Sequence, residues 1–365
     1  MINSSSERFI LLDGIRGVAA LFIVHRHAED LFGKSTASSY LAVDLFFALS
    51  GFVLAHAYSR RLGEGAMTPG FFMKARFARL YPLYVLALTL MAAYFICLYA
   101  LGLPTPIDDL HRLINPGELA FALITGLLFL PAPFTLTLNG ALFLVSPAWS
   151  LFNELVVNAF YARWGVRFSV RQTALVLGIS AFALMVAAVE FGRLHAGFRW
   201  HEMYAGMGRV FFSFFAGVLV YRFLDRTPQI RPVQAVLCLL LVCTILAVPM
   251  SPELRPFFDL AVVLFVWPLL LVVASKTVPG RSVGAVSVFL GTASYAVYVL
   301  HIPLLAWTEF LIPAVHRDDM ALPAGVVFLI ATTCLSWWLT VYYDQPVQKW
   351  LKSRLKKQRD VRQPV

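Results

Sequence analysis

Residues 11–30 read LLDGIRGVAALFIVHRHAED. The stretch is apolar except for Asp13, Arg16, the run His25-Arg26-His27 and a closing Glu29-Asp30. An apolar run of about 20 residues is long enough to cross a bilayer core as a helix. A cleaved signal peptide would have an unbroken apolar centre followed by a small-residue cleavage site. Here Asp13 and Arg16 break the run, so it reads as a retained first helix covering 9–28. Arg16 and His27 are eleven positions apart. At 100° per residue they return to within about 20° of one face, about 16 Å apart along the axis. Asp13 lies near that face and His25 on the opposite side. An ionisable residue inside a membrane segment is a candidate for function before anything else.

Composition agrees with lipid as the solvent. The chain has 365 residues, of which 59% are hydrophobic and 14% charged; soluble domains carry about 25% charged residues. Apolar segments recur at 9–28, 41–58, 80–103, 118–131, 141–162, 172–191, 208–224, 233–250, 258–275, 285–305 and 322–343. The fourth is short. From Glu118 to Leu130, ahead of Pro131-Ala132-Pro133, it makes about 20 Å of helix against a core of about 30 Å. It is expected to be re-entrant or interfacial. The fold class is then an all-α polytopic membrane protein of about ten transmembrane helices.

Charge placement favours the same count. With the N-terminus inside and ten crossings, the cytoplasmic side gathers most of the Lys and Arg. These include Arg60, Arg61, Lys74, Arg76 and Arg79; Arg163, Arg167 and Arg171; Arg222, Arg226 and Arg231; and the basic end from Lys349 onward. Letting the fourth segment cross would put most of the later charges outside, against the positive-inside rule. Both termini are therefore expected in the cytoplasm, with a membrane domain over 1–350 and a short basic tail at 351–365. That tail is suited to the anionic leaflet. The net charge of +10 punctuates the apolar segments and forms no basic soluble domain, so nucleic acid is not an expected partner. Cys97, Cys238, Cys243 and Cys334 sit in apolar stretches without ligand-like spacing. Neither a disulfide framework nor a metal site is expected. No internal repeat is visible, which weakens an inverted-repeat transporter.

Further polar residues interrupt the apolar segments. In the second, Asp44 is a candidate to orient a histidine, to meet Arg16, or to glue helices together; Ser50-Gly51 allows close helix approach. Arg76 and Arg79, at i,i+3, share a helix face. They can clamp phosphates by charge-assisted hydrogen bonds or serve as membrane anchors. Segment five offers Trp149 and the intramembrane Glu154. Segment ten puts Tyr295, Tyr298 and His301 near one face, either for packing or for function. His27 suits a general base for a hydroxyl or a carrier of the group transferred; its bland alternative is an interfacial residue.

Taken in order, these pieces resemble the acyltransferase 3 family of membrane acyltransferases. LDGIRGVAALFIVHRHA resembles the opening motif of an Arg, ten residues and a His, met by Arg16 and His27. AVDLFFALSGFVL resembles the second-helix motif, with Ala42 where glycine is common. RFARLYPLY carries the Arg-x-x-Arg element through Arg76 and Arg79. PAWSLFNEL resembles the Trp-Ser-Leu motif, with Phe152-Asn153 departing from it and Glu154 at its acidic position. TASYAVYVLHIPL resembles the late Ser-Tyr and Tyr-x-x-His elements. YYDQP resembles the terminal motif, with Asp344 where Glu is usual.

The resemblance covers about residues 8–350. It implies an inner-membrane O-acyltransferase that moves an acyl group, acetyl by default, from cytoplasmic acyl-CoA to a carbohydrate hydroxyl, with no metal. The site it implies has His27, Arg16, Asp13, Asp44 and Glu154 in catalysis. Arg76, Arg79 and Arg16 bind the acyl-CoA, and Trp149, Tyr295, Tyr298 and His301 bind the acceptor. The competing class is a transporter or flippase for a lipid-linked sugar; a weaker one is a structural subunit of an envelope-assembly complex. Consumption of acyl-CoA separates the first class from the other two.

Overall fold

The structure is a computed structural model. It describes residues 9–33, 38–105, 113–132, 142–225, 227–312 and 321–362. Arg8, Arg112, Pro133, Arg226 and Arg317 lie outside the described residues. The described chain is almost wholly helical: α1 Ile10–His27, α2 Glu29–Phe32, α3 Ala42–Gly63, α4 Pro69–Ala100, α5 Pro116–Leu127, α6 Ala148–Arg163, α7 Val170–Phe191, α8 Met203–Phe223, α9 Pro232–Ala247, α10 Arg255–Ala261, α11 Trp267–Lys276, α12 Arg281–Leu311, α13 Ala321–Leu339 and α14 Gln345–Arg362. One π turn, Val262–Val266, joins α10 to α11, and another, Thr340–Asp344, joins α13 to α14. A parallel pair of two-residue strands, β1 Gln229–Ile230 and β2 Thr277–Val278, ties the chain after α8 to the chain before α12.

Among the described residues, seven helical spans are long and apolar enough to cross a membrane, by length and composition: Ser39–Gly63, Pro69–Ala100, Val170–Phe191, Trp200–Phe223, Arg255–Lys276, Arg281–Leu311 and Leu322–Leu355. The outward faces are apolar as well. Leu175, Ile179, Phe182 and Val189 of α7 and Leu237 and Leu240 of α9 are all exposed. A water-soluble bundle would put charge there; a lipid-facing one puts hydrocarbon there.

Several boundaries differ from the sequence reading. α4 starts at Pro69, well before the expected 80, because Thr68 caps it by accepting from the Phe71 amide at 3.2 Å and proline suits the first helical turn. Arg76 and Arg79, read as sharing a helix face ahead of the apolar segment, therefore lie inside one long helix. α6 starts only at Ala148, behind Pro147. The last segment does not stop at 343: the π turn carries it into α14, since charged residues end an apolar stretch without ending a helix. The short fourth segment is α5, only 12 residues long. Tyr84 donates to the Gly126 carbonyl at 2.9 Å and Tyr81 to that of Leu127 at 2.8 Å, so α4 holds its end.

Two close helix pairs position the site. α1 runs alongside α12 in the same direction. Gly14 meets Ser287, Gly17 meets Leu290 and Gly291, and further along His27 meets His301. α3 crosses α8 just as closely. A Cβ on Gly51 would run into the carbonyl oxygen of Phe214, and one on Gly217 into that of Ala48. Small residues at such crossings let backbones touch where lipid offers no hydrophobic gain. Gly51→Leu and Gly217→Val are each expected to abolish the monodisperse detergent-extracted peak in size-exclusion chromatography. Gly63→Leu, at a position with open space around it, should leave that peak intact.

Candidate active site

The site begins with a histidine on each of the two helices α1 and α12, His27 at the end of the first and His301 inside the second. His27 Nδ1 lies 2.9 Å from the Ile23 carbonyl oxygen and 3.0 Å from His301 Nε2. His301 Nδ1 lies 3.1 Å from the Val297 carbonyl oxygen. A carbonyl oxygen only accepts, so both Nδ1 atoms must carry the proton. His301 Nε2 is then an acceptor, and the His27 Nδ1–H is shared between it and Ile23. In the neutral ring, His27 Nε2 then bears an unprotonated lone pair. His27 is exposed by surface area although it lies deep in the bundle, because its ring opens into a cavity. His301 behind it is 1% exposed.

That histidine cavity has a volume of about 340 Å³ and is lined by Ile23, Arg26, His27, Trp149, His195 and Arg209 among others. A second, the arginine cavity, of about 250 Å³, brings together Arg16 of α1, Ser50 of α3, Arg76 and Arg79 of α4, Glu154 of α6 and Tyr295 of α12. Val43 and Tyr298 line both. Ser150 Oγ donates to the Pro147 carbonyl at 2.9 Å, so the Tyr298 hydroxyl donates to Ser150 Oγ, at 2.6 Å. This contact and Val43 lie where the two cavities share their lining.

In the arginine cavity each cation is held in place. Arg16 Nη2 meets Asp13 at 2.8 Å and the Gly291 carbonyl at 3.0 Å, and its Nε meets Ser294 at 2.9 Å. Arg76 Nη2 meets Glu154 Oε1 at 2.7 Å, an oxygen that also accepts from Ser50 at 2.6 Å. Arg79 meets Asp344 at 3.3 Å and lies over the Tyr295 ring, whose hydroxyl donates to Leu80 O at 2.5 Å. Asp344 is itself fixed by Gln348 at 2.6 Å.

Of the roles open to Asp44, the structure shows the joining of helices, and Asp13 pairs with Arg16. Neither Asp44 nor Glu154 reaches His27: Glu154 is taken by Arg76 and Ser50, and Asp44 by Arg209 of α8, a residue not singled out from the sequence. Asp44 does not meet Arg16 either, because Arg16 is turned toward α12. Arg209 Nε and Nη2 lie 3.0 and 2.7 Å from the two Asp44 oxygens. Its remaining donors reach Ala196 O and Tyr40 O, both at 2.9 Å, and it lies over Trp149. Arg209 is 1% and Asp44 0% exposed. The place of a carboxylate behind His27 is taken by His301, expected on the acceptor side. Tyr295 borders the arginine cavity alone, Tyr298 both cavities, and Trp149 the histidine cavity.

Arg26, His195, Tyr40 and Asp259 are also part of this surround without having been read from the sequence. Asp259 accepts from the Tyr40 hydroxyl through both oxygens, at 2.8 and 2.7 Å, and from the Leu194 amide at 2.8 Å. The linker between α7 and α8 carries His195. Burial, reinforced by Arg26 and Arg209, holds His195 well below the usual imidazole range, so the ring is neutral.

A multi-pass helical membrane protein with a histidine facing one cavity and three arginines facing another has the parts of a group-transfer enzyme. Residues 9–341 match the acyltransferase domain of the acyltransferase 3 family, and the chain belongs to that family; it is an acyltransferase. Over 191 residues, 52% of this chain and all of the relative, it is 83% identical to a Rhizobium radiobacter protein described as "Protein 2 in picA locus". No solved structure matches it.

Removing one partner of a buried ion pair leaves a bare charge in a dry site. Asp44→Ala and Arg209→Ala are each expected to lower stability by about 3–5 kcal/mol. Thermal unfolding in detergent is the measurement. The double variant Asp44→Leu/Arg209→Met should recover part of the loss.

Proposed function

We propose that the protein takes an acyl group, acetyl by default, from acyl-CoA on the cytoplasmic side and places it on a hydroxyl of a carbohydrate acceptor on the other side of the inner membrane. The observation that carries this reading is the pair of cavities that share Tyr298, one lined by Arg16, Arg76 and Arg79 and the other by His27. On this plan ten helices cross and both termini are cytoplasmic. The same-direction run of α1 and α12 supports it: ten spans put these two helices in parallel, whereas a crossing α5 would make them antiparallel.

Arg79 is the outermost clamp, its side chain 40% exposed against 14% for Arg76, and meets the phosphates of acyl-CoA first. Guanidinium groups suit phosphate by paired, charge-assisted hydrogen bonds. Arg76 lies further in and, with Arg16, takes the donor's remaining acceptor atoms. The Arg76 Nε, buried and without a partner among the described residues, is a spare donor there. The acyl end passes Tyr298 to reach the histidine cavity.

There His27 Nε2 removes the proton from the acceptor hydroxyl as its oxygen attacks the thioester carbon. The new C–O bond forms, the C–S bond breaks, and the imidazolium returns its proton to the departing thiolate. His301 and the Ile23 carbonyl accept from Nδ1–H throughout, which orients the ring and stabilises the transient positive charge, the part a carboxylate plays in a Ser-His-Asp triad.

The test is CoA release and label transfer from radiolabelled acetyl-CoA by the protein in nanodiscs, with and without an envelope glycan extract. His27→Ala should lower transfer by about 10²–10⁴, the range for loss of a general base, with expression unchanged. Wild-type transfer by that variant removes the base assignment. His301→Ala should lower kcat and leave the KM for acetyl-CoA alone, whereas Arg76→Ala should raise the KM for acetyl-CoA more than that for acceptor. Glycan movement with no CoA consumed would instead identify a carrier for a lipid-linked sugar.

A further inference from the structure

Arg26 sits next to His27 in the chain and faces the same cavity. Its guanidinium lies 5.3 Å over the Tyr40 ring, with Nη2 3.4 Å from His195 Nδ1. Among the described residues no carboxylate comes within ion-pair distance of it. Arg209, the other arginine lining this cavity, is fully engaged by Asp44. Glu29, the acidic residue in the lining, is exposed on α2 and makes no ion pair with Arg26. Arg26 is thus a cation inside the protein that touches an aromatic face and a neutral imidazole, with Glu29 near enough to attract it without bonding to it, and with Arg193 and Arg255 among the charges around it.

The seat under it is rigid. Asp259 grips the Tyr40 hydroxyl, Arg255 adds a contact to the same oxygen at 3.2 Å, and Asp259 also pins the Leu194 amide beside His195. A guanidinium is a planar fork of N–H donors that recognises carboxylate or phosphate by two parallel hydrogen bonds. Leaving such a group unpaired away from bulk water is unfavourable.

We infer that the acceptor carries an acid group, a carboxylate or a phosphate on the sugar, and that Arg26 binds it while His27 acts on a neighbouring hydroxyl. The inference rests on the acyltransferase reading for the role of that hydroxyl, and on the cavity alone for the acid group. Trp149 and Phe198, in the same lining, give the sugar ring apolar walls. His195 stands behind Arg26 as a positioning residue, since its Nδ1 accepts from the guanidinium.

The test compares three probes on the protein in nanodiscs: a glucuronyl-glucose disaccharide, its methyl ester, and cellobiose 6-phosphate. Equilibrium binding is measured without donor, and label transfer with acetyl-CoA. At least one acid-bearing probe should bind tenfold or more tighter than the ester; which one does tells carboxylate from phosphate. Arg26→Gln should erase that preference while the ester's Kd stays within twofold, and Arg26→Lys should keep part of it. Absence of acid-selective binding in the wild type, or an equal loss for acid and ester in Arg26→Gln, overturns the inference whatever the fate of the variants' folding. Transfer to the ester as efficient as to the acids overturns it while leaving the acyltransferase reading intact. Acid-selective, Arg26-dependent binding with no CoA released supports the acid site and removes the transferase reading.

Discussion

A guanidinium and a carboxylate sealed from water, Arg209 and Asp44, organise this molecule. The pair joins α3 to α8 where Gly51 and Gly217 already bring the backbones into contact, and its spare donors reach Tyr40 and Ala196. One side chain thereby fixes the start of α3, the linker between α7 and α8, and the Trp149 ring. A buried pair of this kind contributes little net stability over a hydrophobic replacement but penalises any arrangement that separates it. Its effect here is to allow a single register between the helices that wall the histidine cavity.

The second organising element is the strip between α1 and α12. Glycines let the helices lie against each other, and polar contacts recur along the seam: Asp13 with Arg16, Arg16 with Ser294, His27 with His301. Because the two helices run in the same direction, one end of the seam holds a cation and the other a pair of imidazoles. The distance between them follows from helix rise alone. The chemistry proposed at each end can therefore differ in polarity while sharing one rigid support.

Much of this was legible in the sequence for a physical reason. Helix periodicity put Arg16 and His27 on one stripe, the short reach of 118–131 marked α5 as unlike its neighbours, and Ser50-Gly51 signalled a tight crossing. What escaped were partnerships, which depend on side chains far apart in the chain. Asp44 was visible as a buried acid, but its mate Arg209 lies 165 positions away. Arg209 and Asp259 carried the same signal, a charge inside an apolar segment, and that rule applied evenly would have flagged both. Arg26 was overshadowed by the histidines flanking it, since adjacent helix positions point about 100° apart and only the fold shows both facing one cavity. Helix limits were misjudged where hydropathy stood in for hydrogen bonding, as at Thr68 and across the π turn before Asp344.

The contact between Tyr298 and Ser150 has a consequence for the cell as well as for the reaction. If the cavities open to opposite faces of the bilayer, the Tyr298 phenol, the Ser150 hydroxyl it touches and Val43 stand in the lining they share. An acyl chain is slender and neutral enough to slip past a rotating ring, whereas a hydrated ion must shed its water to follow. The enzyme would then export a chemical group while remaining electrically tight, and the energy for moving the group outward would come from the thioester itself rather than from an ion gradient.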